Sequence, residues 1–190
     1  MTYFLDFDRT LFDSEAYYAY LVDKPECRDF RDDLQLILET PVDELGGDDE
    51  LRRKIWKQLS VLLETGALSF SPGELSPFLY PDVVEFLRQM GNEAMIITFG
   101  DKIRQKVKVE SALAGVVRLT VLYTGDVYKA DFLTINSHLV SGKALFVDDY
   151  ALELEKMALK FPQVSLYQMR RKKDAGDGRW PILSTLHELP

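Results

Sequence analysis

The sequence predicts an α/β fold: a parallel sheet covered on both faces by helices, with a small helical insert after the first strand. Three observations carry this. From residue 79 onward, short apolar runs alternate with helix-like segments, the pattern of strands joined by helical crossovers. Residues 13–78 hold little that reads as a strand. The length of 190 residues suffices for one full-sized domain with a small inserted subdomain.

The elements follow in order. Tyr3-Phe4-Leu5-Asp6-Phe7-Asp8 starts almost at the first residue, is apolar, and ends in acids; it reads as a buried strand. Ser14-Glu15-Ala16-Tyr17 opens a helix, with Ser14 as its cap. Phe30, Leu34, Ile37 and Leu38 recur at helical spacing, as do Ile55, Leu59 and Leu62. Gly46-Gly47-Asp48-Asp49 and Ser71-Pro72-Gly73 punctuate this region. Tyr17, Tyr18 and Tyr20 read as packing residues of its first helix. Beyond it come a helix over 81–90 with Pro81 near its start, a strand over 94–98, and a helix from 102 to about 114. A strand over 119–123, a helix over 130–139, a strand over 144–147, a helix over 152–161 and a strand over 164–169 complete the alternation. Residues 183–189 close the chain as a helix or strand-end segment. No internal repeat interrupts the series.

Composition narrows the function classes. The net charge of -8 argues against a nucleic-acid binder, which meets phosphates with a basic surface. It does not argue against a small phosphorylated ligand, because a bound cation inverts the local field. Cys27 is the one cysteine, so neither an internal disulfide nor a cysteine zinc site is expected. The N-terminus lacks a basic segment and no apolar run reaches membrane-spanning length. A cytoplasmic location is expected.

The chemistry-bearing residues cluster at the C-terminal sides of the expected strands, where open parallel sheets bind ligands. Asp6, Asp8 and Thr10 follow the first; Thr98, Phe99 and Gly100 follow the second. Lys129 follows the third, and Asp148 and Asp149 follow the fourth. Taken alone, Asp6 and Asp8 read as turn or cap acids, and Asp148-Asp149 as the cap of the next helix. Together they place several carboxylates beside buried strands, which is very unfavourable without a counter-charge. Magnesium resolves this, because it takes oxygen ligands and keeps waters that a phosphate oxygen can replace. Thr98 offers a hydroxyl, and the amides after it can hold phosphate. Lys129 supplies positive charge; Lys143, just before a strand, points to the opposite sheet edge. Arg170-Arg171-Lys172-Lys173, with Asp174-Ala175-Gly176-Asp177-Gly178 after it, reads as a solvated mobile loop. His138 and His187 are too isolated for a metal cluster or a triad.

Asp6-Phe7-Asp8-Arg9-Thr10-Leu11 resembles the first motif of the haloacid-dehalogenase-like (HAD-like) superfamily, an apolar strand followed by Asp-x-Asp-x-Thr. Ile96-Ile97-Thr98 resembles its second motif, Lys129 its third, and Phe146-Val147-Asp148-Asp149 its fourth, in the same order. Tyr80-Pro81-Asp82-Val83 is also similar to the family. The resemblance implies a Rossmann-like three-layer α/β/α core over 1–12 and 79–190, with a helical C1-type cap over 13–78. Arg9 stands where the family often has glycine or another small residue, which narrows the site or brings a cation to the substrate.

The resemblance implies a phosphohydrolase. Asp6 is the implied nucleophile, forming an aspartyl-phosphate. Asp8 is the implied general acid, then base. Magnesium is implied on Asp6, on Asp8 through its backbone carbonyl, and on Asp149 with or without Asp148. Thr98, Phe99, Gly100, Lys129 and Arg9 are the implied phosphate- and substrate-binding residues. Asp8 favours phosphate chemistry over carbon–halogen cleavage. The expected partner is a small phosphorylated metabolite, with no nucleic acid and no membrane, and the expected state is a monomer or weak homodimer. The alternatives are a phosphomutase of the same fold, or a phosphate-binding regulatory protein with little turnover. A response-regulator receiver carries similar residues, but its adjacent acids come first and its phosphorylated acid mid-chain, the reverse of this order.

Overall fold

A computed structural model describes residues 1–40, 50–116, 119–172 and 178–190. The Gly46-Gly47-Asp48-Asp49 punctuation, Lys173 and the 174–177 stretch lie outside the described residues. The strands are β1 (Thr2–Leu5), β2 (Ala94–Thr98), β3 (Thr120–Tyr123), β4 (Ala144–Asp148), β5 (Ser165–Met169) and β6 (Ile182–Leu183). The helices are α1 (Ser14–Val22), α2 (Arg31–Glu39), α3 (Glu50–Glu64), α4 (Val83–Met90), α5 (Lys102–Ala112), α6 (Lys129–Ile135) and α7 (Ala151–Lys160). The chain divides into two compact units: Met1–Phe12 with Leu79–Gly100 and Gly115–Pro190, and Asp13–Phe78 with Asp101–Ala114.

The first unit is a six-stranded sheet in the order β3-β2-β1-β4-β5-β6. Every pairing is parallel. The central strands are apolar on both faces, as a sheet covered on both sides requires. Phe4, Phe146 and Leu166 pack on one face against Leu133 of α6 and Leu154 and Met157 of α7. Tyr3 points to the other face, where its ring meets Phe86 of α4 edge-on at 5.7 Å. The fold is therefore three layers, helix on sheet on helix. Strand order reverses at β1, with β2 and β3 to one side and β4 onward to the other. Leu5 pairs with Val147 across that switch, so the ends of β1 and β4 open side by side.

The structure corrects several local expectations. The first strand stops at Leu5, so Asp6 and Asp8 do not share a strand face. Asp6 still donates its N–H to the Val147 carbonyl at 2.9 Å, but the chain then turns. The Phe7 carbonyl accepts from both Leu11 and Phe12, and the Phe7 and Phe12 rings stack at 5.0 Å. Arg9 sits at φ 60 in this turn, a conformation that costs a non-glycine residue roughly 1–2 kcal/mol. The helix expected over 130–139 breaks at Ile135, followed by a 3₁₀ turn at Ser137–Val140. Asn136 explains the break: its side-chain amide donates to the Phe132 carbonyl at 2.9 Å, competing with the helical ladder. The closing segment is β6 plus a 3₁₀ turn whose first residues are bridged by a Thr185–Glu188 capping box.

Arg171 departs furthest from the expected solvated loop. Its guanidinium is buried and donates to both carboxylate oxygens of Asp82, at 2.9 and 2.7 Å. It also donates to the Thr10 carbonyl through Nε at 2.9 Å and Nη2 at 2.7 Å, and to the Ser184 carbonyl at 3.2 Å. It lies 4.4 Å from the centre of the Tyr80 ring. A buried Asp82 demands a partner of this kind.

The second unit is helical. Asp13, rather than Ser14, caps α1, accepting from the Glu15 and Ala16 amides at 3.1 and 3.0 Å. Tyr17 is buried among aromatic rings, 6.1 Å from Phe70 and 6.0 Å from Phe78. The Tyr20 hydroxyl donates to Glu74 at 2.7 Å, and Lys24 donates to the same oxygen at 3.1 Å. Trp56 of α3 donates its indole N–H to the Tyr18 hydroxyl of α1 at 3.0 Å. The sequence assigned 101–114 to the core; in the structure this helix groups with 13–78 and packs against α3. Among the described residues no helix is long and apolar enough to cross a membrane.

Candidate active site

The carboxylates converge at the β1/β4 switch. Ligand oxygens of Asp6, Asp148 and Asp149 lie within 4.8 Å of one another. Asp6 and Asp148 are buried, and Asp149 is partly exposed. Lys129, the first residue of α6, is buried with them and ion-pairs to Asp6 Oδ1 and, at 2.7 Å, to Asp148 Oδ2. Asp148 Oδ1 accepts the Tyr150 amide at 3.0 Å. Both Asp148 oxygens are thus engaged, so it orients Lys129 and braces the loop. Asp149 carries its nearest cation, Arg9 Nη1, at 3.9 Å.

Three carboxylates against one ammonium leave a surplus of two negative charges. Burial pushes the Asp6 carboxyl up to about 7; Lys129 pulls it down, while Asp148 and Asp8 add to the rise. Burial raises Asp148 and Asp149 in the same way; the pull of Lys129 opposes it at Asp148, and at Asp149 the Asp6 charge adds to it. Burial works against the Lys129 charge, but the surrounding Asp148, Asp6 and Glu153 carboxylates outweigh it and hold the ammonium well above its ordinary range. An all-oxygen donor set with surplus negative charge fits a hard divalent cation such as magnesium. Asp8 is half-buried within the turn, and its carboxylate is not a member of this cluster.

The other anticipated residues fall as follows. Thr98 ends β2, beside β1, and its buried Oγ1 has no hydrogen-bond partner among the described residues. Buried hydroxyls are normally bonded, so this one has capacity for a ligand. Phe99 stacks on Tyr128 at 6.1 Å, just ahead of Lys129. Gly100 takes φ 110, and its N–H donates to the Gly125 carbonyl at 2.8 Å. That amide is committed to the backbone, so Gly100 serves the shape of the loop.

Two supporting residues, Glu153 and Gln168, escaped the sequence reading, and Thr10, which it named, takes a supporting place beside them. Glu153 is buried, and its carboxylate accepts the Lys129 amide at 3.1 Å, fixing the start of α6. Gln168 is buried and donates to the Asp149 carbonyl at 3.2 Å. Thr10 is buried, its Oγ1 lacks a partner among the described residues, and its carbonyl takes the Arg171 guanidinium. A signal for Glu153 was available: it shares a face with Leu154 and Met157, where an acid needs a reason to be.

No protein-family model matches the sequence, and neither does any curated protein. Solved structures do. A protein from Burkholderia xenovorans LB400 assigned to the haloacid dehalogenase-like hydrolases aligns with a TM-score of 0.64 and 20% identity, over 97% of this chain and 92% of that one. A protein from Thermotoga maritima assigned as a β-phosphoglucomutase aligns at 0.57 and 16%, over 96% and 94%. CbbY from Rhodobacter sphaeroides, in complex with phosphate, aligns at 0.54 and 13%, over 99% and 95%. The chain has the HAD-like fold.

Proposed function

We propose that this chain is a magnesium-dependent phosphohydrolase that cleaves a small phosphate monoester through an aspartyl-phosphate on Asp6. The observation that carries the reading is the buried cluster of Asp6, Asp148, Asp149 and Lys129 at the sheet's switch point. A phosphorylating aspartate needs a nearby cation to let a phosphate dianion approach, and a lysine to spread the charge that develops on it. That one fold relative binds phosphate supports the chemistry without fixing the substrate.

In this reading a carboxylate oxygen of Asp6 attacks phosphorus and the bond to the ester oxygen breaks. The Asp8 carboxyl gives its proton to that leaving oxygen. Asp8, now a carboxylate, takes a proton from water as the water attacks phosphorus. Phosphate leaves and the Asp6 carboxylate is restored. The Thr98 hydroxyl and the Lys129 ammonium hold the equatorial oxygens. Asp6, Asp149 and the Asp8 carbonyl would hold magnesium, which would supply charge neutralisation between nucleophile and phosphate. Arg9, beside Asp149, contributes a cation at the rim, and the helical unit acts as the C1-type cap.

The test is phosphate release from a panel of phosphate monoesters, with magnesium and with chelator, on wild type and Asp6→Asn. Release is expected to need magnesium and to vanish in the variant. Full activity of a clean Asp6→Asn preparation would overturn the nucleophile.

A further inference from the structure

The helical unit contains a buried positive charge that the chemistry at Asp6 does not use. Arg104, in the first turn of α5, is only 2% exposed. Its guanidinium carbon lies 4.8 Å from the centre of the Trp56 ring. Its Nε is buried without a hydrogen-bond partner, and the guanidinium makes no ion pair, among the described residues. The other internal arginine, Arg171, shows what satisfaction looks like: a carboxylate, two carbonyls and an aromatic ring.

Arginine does not escape burial by losing its proton. A buried guanidinium without a counter-charge therefore costs several kcal/mol on the scale of buried ions, and a fold keeps such a cost where it serves binding. The surroundings are firm. Trp56 is held by its hydrogen bond to Tyr18 at 3.0 Å, and the Asp101 side chain fixes the Arg104 amide at 2.8 Å. The indole lies against the guanidinium, whose Nε has no partner among the described residues. Nε and the adjacent Nη of a guanidinium are parallel donors that match a carboxylate in the same plane.

We propose that Arg104, stacked on Trp56, is a carboxylate-binding site of the helical unit, taking a small molecule that carries a planar carboxylate. The ligand's two oxygens accept from Nε and the adjacent Nη. The proposal stands independently of the reading of Asp6.

The experiment is calorimetric titration of the full chain with malonate, beside thermal melts, for wild type, Arg104→Met, Arg104→Lys and Asp6→Asn. Saturable binding to wild type and to Asp6→Asn is expected, with at least a tenfold weakening in Arg104→Lys and loss in Arg104→Met. Arg104→Met is expected to melt at or above the wild-type temperature, because an unneutralised buried charge has been removed. A purely structural arginine gives the opposite: no malonate binding to wild type and a lower melting temperature in Arg104→Met. Either result overturns the site, as does equal affinity in Arg104→Lys should Arg104→Met fail to fold. Loss of phosphatase activity in Asp6→Asn bears only on the other reading.

Discussion

At the scale of single residues, the site separates acids that look alike in the sequence. Asp148 has one oxygen on Lys129 and the other on the Tyr150 amide, so it acts as an orienting group. Among the described residues, the Asp149 carboxylate meets a cation only at the long contact to Arg9, which leaves it the better placed of the two for the proposed magnesium. Asp6 shares one oxygen with Lys129; in the proposed reaction its other oxygen meets phosphorus or a cation. Asp8 lies outside the carboxylate cluster, as the proton-exchanging role proposed for it requires. This division makes a prediction. Asp8→Asn should slow hydrolysis of an alkyl phosphate by roughly 10²–10⁴-fold, the usual worth of a general acid. It should slow 4-nitrophenyl phosphate much less in the first step, since nitrophenolate leaves without a proton. A leaving-group series measured in single turnover checks this; equal losses along the series would remove Asp8 from the acid role.

At the scale of elements, the site depends on ties between segments distant in sequence. Arg171 follows β5 and holds both the turn after β1, through Thr10, and the start of α4, through Asp82. Asp82 also accepts the Leu186 amide at 2.6 Å. Arg171→Ala leaves a buried carboxylate without its cation and should cost about 3–5 kcal/mol. Arg171→Lys should recover little, because an ammonium cannot reproduce the planar fork. Denaturant unfolding of the three proteins checks both; a loss under about 1 kcal/mol would show that Asp82 finds other partners. The same residue explains what the sequence could and could not reveal. The strands were legible because each is a short apolar run with a helical segment behind it. Asp6, Lys129, Asp148 and Asp149 were legible because strand C-terminal ends are where such sheets bind ligands. Arg171 was not: its partner Thr10 stands 161 positions away, and a basic tetrad carries no local mark of burial. Glu153 differs: its partner Lys129 stands 24 positions away, but its place beside Leu154 and Met157 is a local mark of burial. The turn at Arg9 was hidden because its geometry comes from backbone closure between Phe7 and Phe12, which no apolar pattern encodes.

At the scale of the whole molecule, the carboxylate cluster should govern how stability responds to pH and to cation. The folded chain holds Asp6, Asp148 and Asp149 near 7, against an ordinary value of 3.8. Between about pH 4 and 7 the folded state therefore binds more protons than the unfolded state, so stability falls as pH rises through that window. Lys129 does not oppose this slope. Its raised value gives stability that is intact below its ordinary 10.5 and lost only as pH climbs beyond it. Glu74, lowered to about 2 chiefly by its bond from Tyr20, acts on the acid side: its contribution is present above 4.5 and lost as pH falls towards 2. Without a divalent cation, stability should therefore peak near pH 4–5 and decline towards pH 8. Magnesium competes with protons for the same oxygens, so it should stabilise strongly at pH 8 and little at pH 5. At 100 times its dissociation constant a ligand adds about 2.7 kcal/mol, which for a chain of this length corresponds to roughly 5–10 °C in Tm. Melting curves from pH 4 to 8 in chelator and in magnesium measure the effect directly. Asp149→Asn should raise the chelator-bound curve at pH 8, by removing one of the crowded charges, and abolish most of the magnesium shift. A flat chelator curve would mean that the cluster is solvated in solution. A magnesium shift of equal size at pH 5 and pH 8, or one retained in Asp149→Asn, would place cation binding elsewhere on this acidic chain.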